Sequence, residues 1–199
     1  MPSPATPGRA GTESPSGQTV RQAGWRVSHW FNSPTPIELG DLRGRVVLVH
    51  AFQMLCPACV SHGLPQALRV HAAFQGEAVT VIGLHTVFEH HEVMGSQALQ
   101  AFIHEYRLPF PIGIDQAAEA GSLPVTMAHW GLRGTPSVVL FDRQGRVRLH
   151  RFGVVDDVVL GAAIGQLLAE GDAVETSGCG DRPWTVAKPP ERDGPGCAI

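Results

Sequence analysis

Two cysteines separated by two residues, in the segment Cys56-Pro57-Ala58-Cys59, constrain this chain more than any other feature. A run of apolar, largely β-branched residues extends from Arg45 to Gln53 just before them. Such a run is typical of a strand buried on both faces of a sheet, and the spacing of apolar residues from Pro57 to Phe74 predicts a helix, bent at Pro65. The pair is therefore expected at the junction of a central strand and a helix, where open α/β sheets carry their sites.

Strands and helices alternate along the rest of the chain. The pattern predicts a second buried strand over 78–84, a helix over 96–106, two strands over 137–142 and 146–152, and a closing helix over 156–169. Alternation predicts parallel pairing with right-handed crossovers, and the short link between the last two strands predicts an antiparallel hairpin. The expected fold class is α/β, with a central mixed sheet flanked by helices.

The two ends of the chain differ from its middle. Residues 1–23 are rich in Pro, Ser, Thr and Gly and lack hydrophobic periodicity, which predicts a flexible leader. Residues 172–199 also lack periodicity and predict an irregular tail, so the predicted domain covers residues 24–171. The leader lacks the apolar core of a secretory signal, and no apolar run is long enough to cross a bilayer. We therefore expect a cytoplasmic protein.

The charge composition argues against two classes of partner. The chain has 15 basic and 18 acidic residues and a formal net charge of -3 with histidines neutral. Neither nucleic acid nor an anionic membrane surface is an expected partner of such a chain.

The cysteine pair carries the predicted chemistry. Pro57 suits the first position of a helix because its missing N–H would have no partner there. Cys56 then lies at the helix N-terminus, where free N–H groups and the helix dipole stabilise a thiolate, so it is the predicted nucleophile. Cys59 lies one turn further in and is the predicted resolving thiol, which attacks a mixed disulfide on Cys56.

Two other interpretations of the pair stay open. A CxxC segment is also half of a zinc site, although Cys179 and Cys197 are too far apart to form a second pair of that kind. The two cysteines could also be unrelated buried residues. The position between strand and helix favours a redox pair. Cys179 and Cys197 could bridge each other, relay electrons or be inert tail thiols.

Five stretches of the chain resemble the thioredoxin-like superfamily, specifically the TlpA/ResA-type thiol-disulfide oxidoreductases of the redoxin or AhpC/TSA branch. They are residues 42–49, 56–59, 81–86, 110–115 and 134–142. The resemblance implies a thioredoxin-like fold with an N-terminal extension, and an enzyme that reduces or exchanges disulfides in protein or small-thiol partners. It implies no cofactor beyond a redox-active Cys56–Cys59 disulfide, and an unidentified partner dithiol as the electron donor.

The resemblance also assigns roles around the cysteines. It implies that the Thr135–Pro136 peptide bond is cis and faces the cysteine pair. The Thr135 backbone would then be free to pair with an extended substrate strand. Pro57 and Ala58, between the two cysteines, are the other expected substrate contacts.

Three residues depart from the family pattern. Leu55 stands where family members usually carry Trp, and Pro65 comes six residues after Cys59 instead of five, so we expect a differently shaped helix start. His50 stands where thioredoxins have a buried Asp and many TlpA-like proteins an Asn. An imidazole beneath the pair is a candidate proton relay for Cys59; a core histidine bonded to a backbone carbonyl is the alternative.

Two further functions are alternatives to an oxidoreductase. A peroxiredoxin-like thiol peroxidase would need Pro and Thr or Ser where this chain has Val49 and Gln53. A non-enzymatic copper or zinc carrier would use Cys56, Cys59 and a histidine.

The aromatic and histidine-rich segments predict packing more than ligand binding. We expect most of the ten histidines to be solvated, including His90 and His91, and expect no metal site at His85 and its neighbours. The tryptophans Trp25, Trp30 and Trp130 are expected to pack in the core.

Overall fold

The computed structural model describes residues 24–119 and 122–176. Six strands form one sheet in the order β1-β4-β3-β2-β5-β6. They are β1 (Val27–Phe31), β2 (Val46–Phe52), β3 (Val79–His85), β4 (Ile112–Asp115), β5 (Ser137–Phe141) and β6 (Val147–Phe152). Four α-helices accompany them: α1 (Leu64–Ala73), α2 (Ser96–Glu105), α3 (Val125–Trp130) and α4 (Asp157–Thr176). A π-helical turn, Cys59–Gly63, leads into α1.

The sheet is mixed, as predicted. β3 lies between β2 and β4 and is parallel to both, whereas β5 pairs antiparallel with β2 and with β6. The expected parallel pairing and the expected terminal hairpin are thus confirmed. Because β5 lies beside β2 with opposite direction, the start of β5 adjoins the carboxyl end of β2. This arrangement brings residue 135 toward the cysteine pair.

The central strand β2 is buried along its whole length, because both faces of the sheet are covered. Its side chains alternate between two apolar layers. The larger layer joins one face to α1, α2 and α4 through buried residues that include Leu48, Phe52, Leu64, Leu99, Leu160 and Ile164. The smaller layer joins the other face to α3 and includes Val49, Trp25, Met127 and Trp130. The cysteine pair belongs to the larger layer.

The tryptophans pack in the smaller layer, as expected. Trp25 and Trp130 are buried, and their ring centroids lie 6.3 Å apart. Trp30 is half-buried and packs edge-to-face against Trp25 at 5.7 Å. These rings cover the face of the sheet opposite to the cysteines.

Three elements were not predicted, and each is short. Strand β1 is a half-exposed edge strand, and β4 has four residues that include Gly113. Helix α3 has six residues, too few for a helical period to be visible. Its first N–H groups are held by Asp115, whose carboxylate accepts hydrogen bonds from the backbone N–H of Thr126 and Met127 at 2.8 and 2.9 Å.

The predicted boundary of the tail needs a correction. Residues 172–176 continue helix α4 to Thr176 instead of beginning an irregular segment. A glycine inside a helix costs about 1 kcal/mol relative to alanine, so Gly171 alone does not end a helix that is already packed. The predicted leader, the rest of the tail, Cys179 and Cys197 lie outside the described residues. Over the described ranges, no helix has the length and apolar character to span a membrane.

Candidate active site

Cys56 follows β2 after a tight turn. Its backbone N–H donates to the carbonyl of Gln53 at 3.2 Å, and the helical residues begin at Pro57. The first cysteine therefore stands at the helix N-terminus, as the sequence predicts. Leu55, which replaces the family's Trp, is 57% exposed and lies on the rim of this turn.

The sulfur of Cys56 lies between two backbone groups. It accepts the N–H of Cys59 at 3.2 Å, and as a thiol it donates to the carbonyl oxygen of Thr135 at 3.5 Å. The N–H group aimed at the sulfur belongs to the first turn of the helix, where backbone N–H groups lack partners within the helix. Cys56 is half-buried, so part of the residue is exposed to solvent.

Cys59 has the opposite environment. Its side chain is fully buried in the larger apolar layer. Burial, helped by the hydrogen bond with Cys56, raises the pKa of the Cys59 thiol to about 12. Both cysteines are free thiols in this structure. The pair thus joins one accessible sulfur to one that stays protonated and shielded.

The loop opposite the cysteines is fixed by β6. The Thr135–Pro136 peptide bond is cis. The carbonyl of Pro136 accepts the N–H of Gly153 at 2.8 Å, and the hydroxyl of Ser137 donates to the carbonyl of Gly134 at 2.7 Å. These bonds hold the Thr135 carbonyl at the Cys56 sulfur.

The helix behind the pair contains one wide turn. The N–H of Leu64 bonds to the carbonyl of Cys59, five residues earlier, as in a π-helix. A π-turn holds one residue more than an α-turn, which accounts for a proline six instead of five residues after Cys59. Pro65 itself has no N–H to donate to the preceding turn, and it is the second residue of α1, directly after the π-turn. The differently shaped helix start is therefore a π-turn at Cys59–Gly63.

His50 lies beneath this π-turn. It is buried in the middle of β2, on the side of the sheet that packs against α1, and its ring touches Gly63. Neither ring nitrogen has a hydrogen-bond partner of good geometry among the described residues. The backbone of His50 itself acts on the ring and raises its pKa, but by less than burial lowers it. Burial lowers the pKa of His50 to about 4. The imidazole is neutral at pH 7.

The other singled-out histidines do not gather at the cysteines. His85 is fully buried at the end of β3, its ring 5.3 Å from that of Phe52, and burial lowers its pKa to about 4. His85 is therefore a core residue and not a solvated one. His90 and His91 are exposed, as expected. No group of three or more His, Cys, Asp or Glu suited to a metal occurs in the parts of the chain that the structure describes.

Gln53 forms hydrogen bonds with the loop after β3. Its side-chain oxygen accepts the N–H of Phe88 and its amide donates to Glu89, both at 3.4 Å. The side chain is buried and makes these bonds away from the Cys56 sulfur, whose described hydrogen-bond partners are Cys59 and Thr135.

Two residues near the cis-proline loop, residues 134–137, are not marked by any sequence pattern. Phe152, at the end of β6, is 53% exposed and packs against Gly134. Arg133 lies over the Phe152 ring, 5.8 Å from its centroid. No local signal marks them, because only the β5–β6 pairing brings Phe152 beside residues 134–137.

Comparisons with known sequences agree on one group of proteins. The model of the AhpC/TSA family matches residues 31–150. Protein DipZ of Mycobacterium tuberculosis is 30% identical over 145 residues, which are 71% of this chain but 20% of DipZ. The thiol-disulfide oxidoreductase ResA of Halalkalibacterium halodurans is 25% identical over 124 residues, 62% of this chain and 63% of ResA. The chain thus spans about a fifth of the length of DipZ.

Two solved structures are more similar in sequence. A thioredoxin-like superfamily protein is 53% identical, with a TM-score of 0.71 over 73% of this chain and 94% of the other. A thiol-disulfide isomerase from Corynebacterium glutamicum is 49% identical, with a TM-score of 0.70 over the same shares of the two chains. The thioredoxin-like fold expected from the sequence is confirmed by these neighbours.

Proposed function

The chain belongs to the AhpC/TSA family of thioredoxin-like proteins, and on that premise we propose that it is a thiol-disulfide oxidoreductase that works through Cys56 and Cys59. One observation carries the proposal. The half-buried Cys56 sulfur accepts the Cys59 N–H at 3.2 Å, while the Cys59 sulfur is fully buried three residues further on. The names of ResA and of the isomerase from Corynebacterium glutamicum support the same reaction class.

The first step is an attack by Cys56. Its thiolate attacks one sulfur of a substrate disulfide, a Cys56–substrate bond forms, and the other half of the substrate leaves as a thiolate. The Cys59 N–H stabilises the charge on Cys56 before the attack. Cys59 does not compete for the substrate, because it is buried and its pKa is raised to about 12.

The second step resolves the mixed disulfide. The Cys59 sulfur attacks Cys56, the Cys56–Cys59 bond forms, and the second half of the substrate leaves as a thiolate. Two electrons pass from the cysteine pair to the substrate, and the protons of the two cysteine thiols end on the two released thiols. A partner dithiol restores the reduced pair without a further cofactor.

His50 is the proposed proton acceptor for the second step. It is neutral and has a free ring nitrogen under the turn that begins at Cys59. Because the pKa of Cys59 is raised to about 12 and that of His50 is lowered to about 4, proton transfer before the attack is strongly unfavourable. We therefore propose that the proton moves as the Cys56–Cys59 bond forms, when the Cys59 sulfur is already losing charge to its new partner.

The substrate is proposed to approach along the cis-proline loop. The Thr135 carbonyl lies 3.5 Å from the Cys56 sulfur, so a chain whose sulfur bonds to Cys56 passes beside the Thr135 backbone. Pro57 is exposed and Ala58 half-buried, directly after Cys56 in the chain. These residues are the proposed contacts for a protein or low-molecular-weight disulfide. The cytoplasmic location stays a prediction that cell fractionation tests.

The alternatives have less support. A peroxidase needs a hydroxyl group that orients the peroxide at the reactive sulfur, and Gln53 at the corresponding position instead binds Phe88 and Glu89. A copper or zinc carrier would use the two cysteines and a histidine. Neither His50 beneath the pair nor His85, His90 and His91 forms a group of three or more metal-binding residues with the described residues.

The test of the proposal is a trapping experiment. In Cys59→Ser the first step proceeds and the second cannot, so mixed disulfides on Cys56 accumulate when the reduced variant meets a disulfide substrate. Mass spectrometry of the quenched reaction identifies the linked sulfur. Wild-type protein should instead yield a Cys56–Cys59 disulfide, and Cys56→Ser should yield neither product. A disulfide-linked product on Cys59 in the Cys56→Ser variant would contradict the assignment of the nucleophile.

A further inference from the structure

We propose that a basic cavity beside the cis-proline loop, lined by Arg133, His150 and Arg151, binds a carboxylate of a small anionic disulfide. This inference rests on the proposed function and names the substrate class for the same cysteine pair. It concerns residues that none of the thiol chemistry described above uses.

The cavity lies between the end of α3 and the edge strand β6. It has a volume of about 250 Å³, and Gly131 and Phe152 complete its lining. Sites for whole drug-sized ligands measure roughly 300–1,000 Å³, so this cavity suits one end group of a small molecule.

The cavity is close to the reactive sulfur. Arg133 is two residues before Thr135, and two residues of chain span at most about 7 Å. The Thr135 carbonyl in turn lies 3.5 Å from the Cys56 sulfur. On the other wall, Phe152 packs against Gly134, and Ser137 pairs with Phe152 across the hairpin. A small disulfide bonded to Cys56 can therefore reach the cavity with a terminal group.

The lining is cationic although the chain as a whole is not. Its net charge is -3, yet the charged groups that line this cavity are two arginines and no carboxylate. The guanidinium of Arg133 is held over the Phe152 ring, and Arg151 donates to the His150 carbonyl at 3.5 Å. The described residues include no salt bridge to Arg133 or Arg151.

The positive charge of Arg151 acts on His150, another residue of the lining. His150 is half-buried, and its pKa is lowered by burial and then by the positive charge of Arg151. His150 adds an imidazole to the lining, while the two guanidinium groups supply the charge. Guanidinium is the side-chain group best matched to a carboxylate, because its N–H groups bind both oxygens. The lining therefore offers positive charge and N–H donors suited to an anion.

The reaction of such a substrate is the one already described. The Cys56 thiolate attacks one sulfur of the small disulfide and releases one thiolate, and Cys59 then releases the other and leaves the Cys56–Cys59 disulfide. The cavity takes no part in bond formation. It raises the rate by holding the carboxylate end of the half that becomes attached to Cys56.

The experiment compares two small disulfides with pre-reduced protein in single turnovers. Glutathione disulfide carries carboxylates, and 2-hydroxyethyl disulfide is neutral. Rate constants come from acid quench, alkylation and mass spectrometry, so no second enzyme is needed. We expect Arg133→Gln and Arg151→Gln each to lower the ratio of the glutathione rate to the hydroxyethyl rate about ten-fold, since hydrogen bonds to charged groups are the strong ones. Arg133→Lys, which keeps the charge, should restore part of the ratio.

Arg26→Gln is the matched control. Arg26 is exposed just before β1, on the opposite edge of the sheet from β6, so its loss changes the net charge equally without touching the cavity. Its ratio should equal that of the wild type. An unchanged ratio in both Arg133→Gln and Arg151→Gln overturns the carboxylate site while leaving the oxidoreductase intact. Failure of the wild-type protein to react with either disulfide overturns the proposed function instead.

Discussion

The backbone of Gly63 lies directly on the imidazole ring of His50. A Cβ atom built at Gly63 would overlap Cε1 and Nε2 of that ring, and the same atom would lie 3.4 Å from the Cβ of Pro136. The π-turn, the buried histidine and the cis-proline loop therefore meet at one point. Because the π-turn begins at Cys59, the size of the residue at position 63 and the size of the ring at position 50 together determine how the resolving cysteine is held.

Gly63→Ala should destabilise the protein, because the new methyl group has no space. Overpacking of a core typically costs about 1–3 kcal/mol. In a His50→Ala background the space opens, so the second substitution should cost much less, and a double-mutant cycle in urea should give a clear coupling energy. Gly161→Ala is the control, since a Cβ there meets nothing within 4 Å. If Gly63→Ala lowers the free energy of unfolding equally with and without the His50 ring, contact with that ring is not the cause of the loss.

His50→Leu should slow the resolution of mixed disulfides more than their formation. Loss of a positioned general base typically lowers a rate by about 10²–10⁴. The measurement is the lifetime of a mixed disulfide on Cys56, followed by quench and mass spectrometry between pH 5.5 and 8.5. His85→Leu is the matched control, because His85 is a second buried histidine with unpartnered ring nitrogens on the neighbouring strand. Resolution at the wild-type rate in His50→Leu would leave His50 as a packing residue.

Iodoacetamide should modify Cys56 well before Cys59 in the reduced protein. Cys56 is half-buried and partly exposed to solvent, whereas Cys59 is fully buried and its pKa is raised to about 12, so almost none of it is thiolate at pH 8. Peptide mapping after timed alkylation measures both sites. In urea the two cysteines should react at similar rates, which serves as the control. Modification of Cys59 at the rate of Cys56 in the folded protein would contradict the described geometry.

The stability of the fold should fall as the pH drops below about 6.5, the ordinary pKa of histidine. Burial lowers the pKa values of His50 and His85 to about 4, so between pH 6.5 and pH 4 the unfolded chain binds more protons than the folded one. Stability is then lost as the pH falls, and each histidine accounts for about 1 kcal/mol at pH 5.5 relative to pH 7.5.

Urea unfolding at pH 7.5 and 5.5 measures this loss. Both values lie above the usual range of Asp and Glu, which limits the contribution of Asp115, whose pKa is raised by burial and acts in the opposite direction. His85→Leu should remove a large part of the pH dependence and leave the slope of unfolding against urea unchanged. His50 and His150, whose pKa values are also lowered, account for the rest. If the free energy of unfolding of His85→Leu keeps the full pH dependence of the wild type, His85 is not among the groups that cause it.

Peroxide should be a poor substrate compared with glutathione disulfide. The Cys56 sulfur has a backbone N–H and a backbone carbonyl as its described partners, and Gln53 is bound to Phe88 and Glu89. Consumption of hydrogen peroxide by pre-reduced protein should therefore be slow, with little sulfenic acid on Cys56. Rapid, saturable consumption of peroxide would favour a thiol peroxidase over a disulfide oxidoreductase.

The part of the fold that was predictable is the part with strong local patterns. The buried run that became β2, the second run that became β3 and the β5–β6 hairpin each carry their own periodicity or turn signal. Strand β1 and helix α3 carry none. Strand β1 exists because it pairs with β4, and α3 is short and has its first N–H groups bound by Asp115.

The position of Pro65 is a feature that the sequence predicts only in part. Its six-residue distance from Cys59 predicts a changed helix start, but not the form of the change. The π-turn follows from packing, because the extra residue must fit over His50, and glycine at position 63 leaves room for the ring.

The sequence by itself determined which residues are proposed to make a redox pair. A thiol at a helix start after a buried strand is a local arrangement, and its chemistry depends on neighbours within one helical turn. Only the tertiary structure decided what surrounds that pair. The Thr135 carbonyl reaches the Cys56 sulfur across 79 residues of chain, and His50, Gly63 and Phe152 come near it from separate elements. Strand pairing and close packing between distant segments produce these contacts, and such pairing has no signature within any one segment.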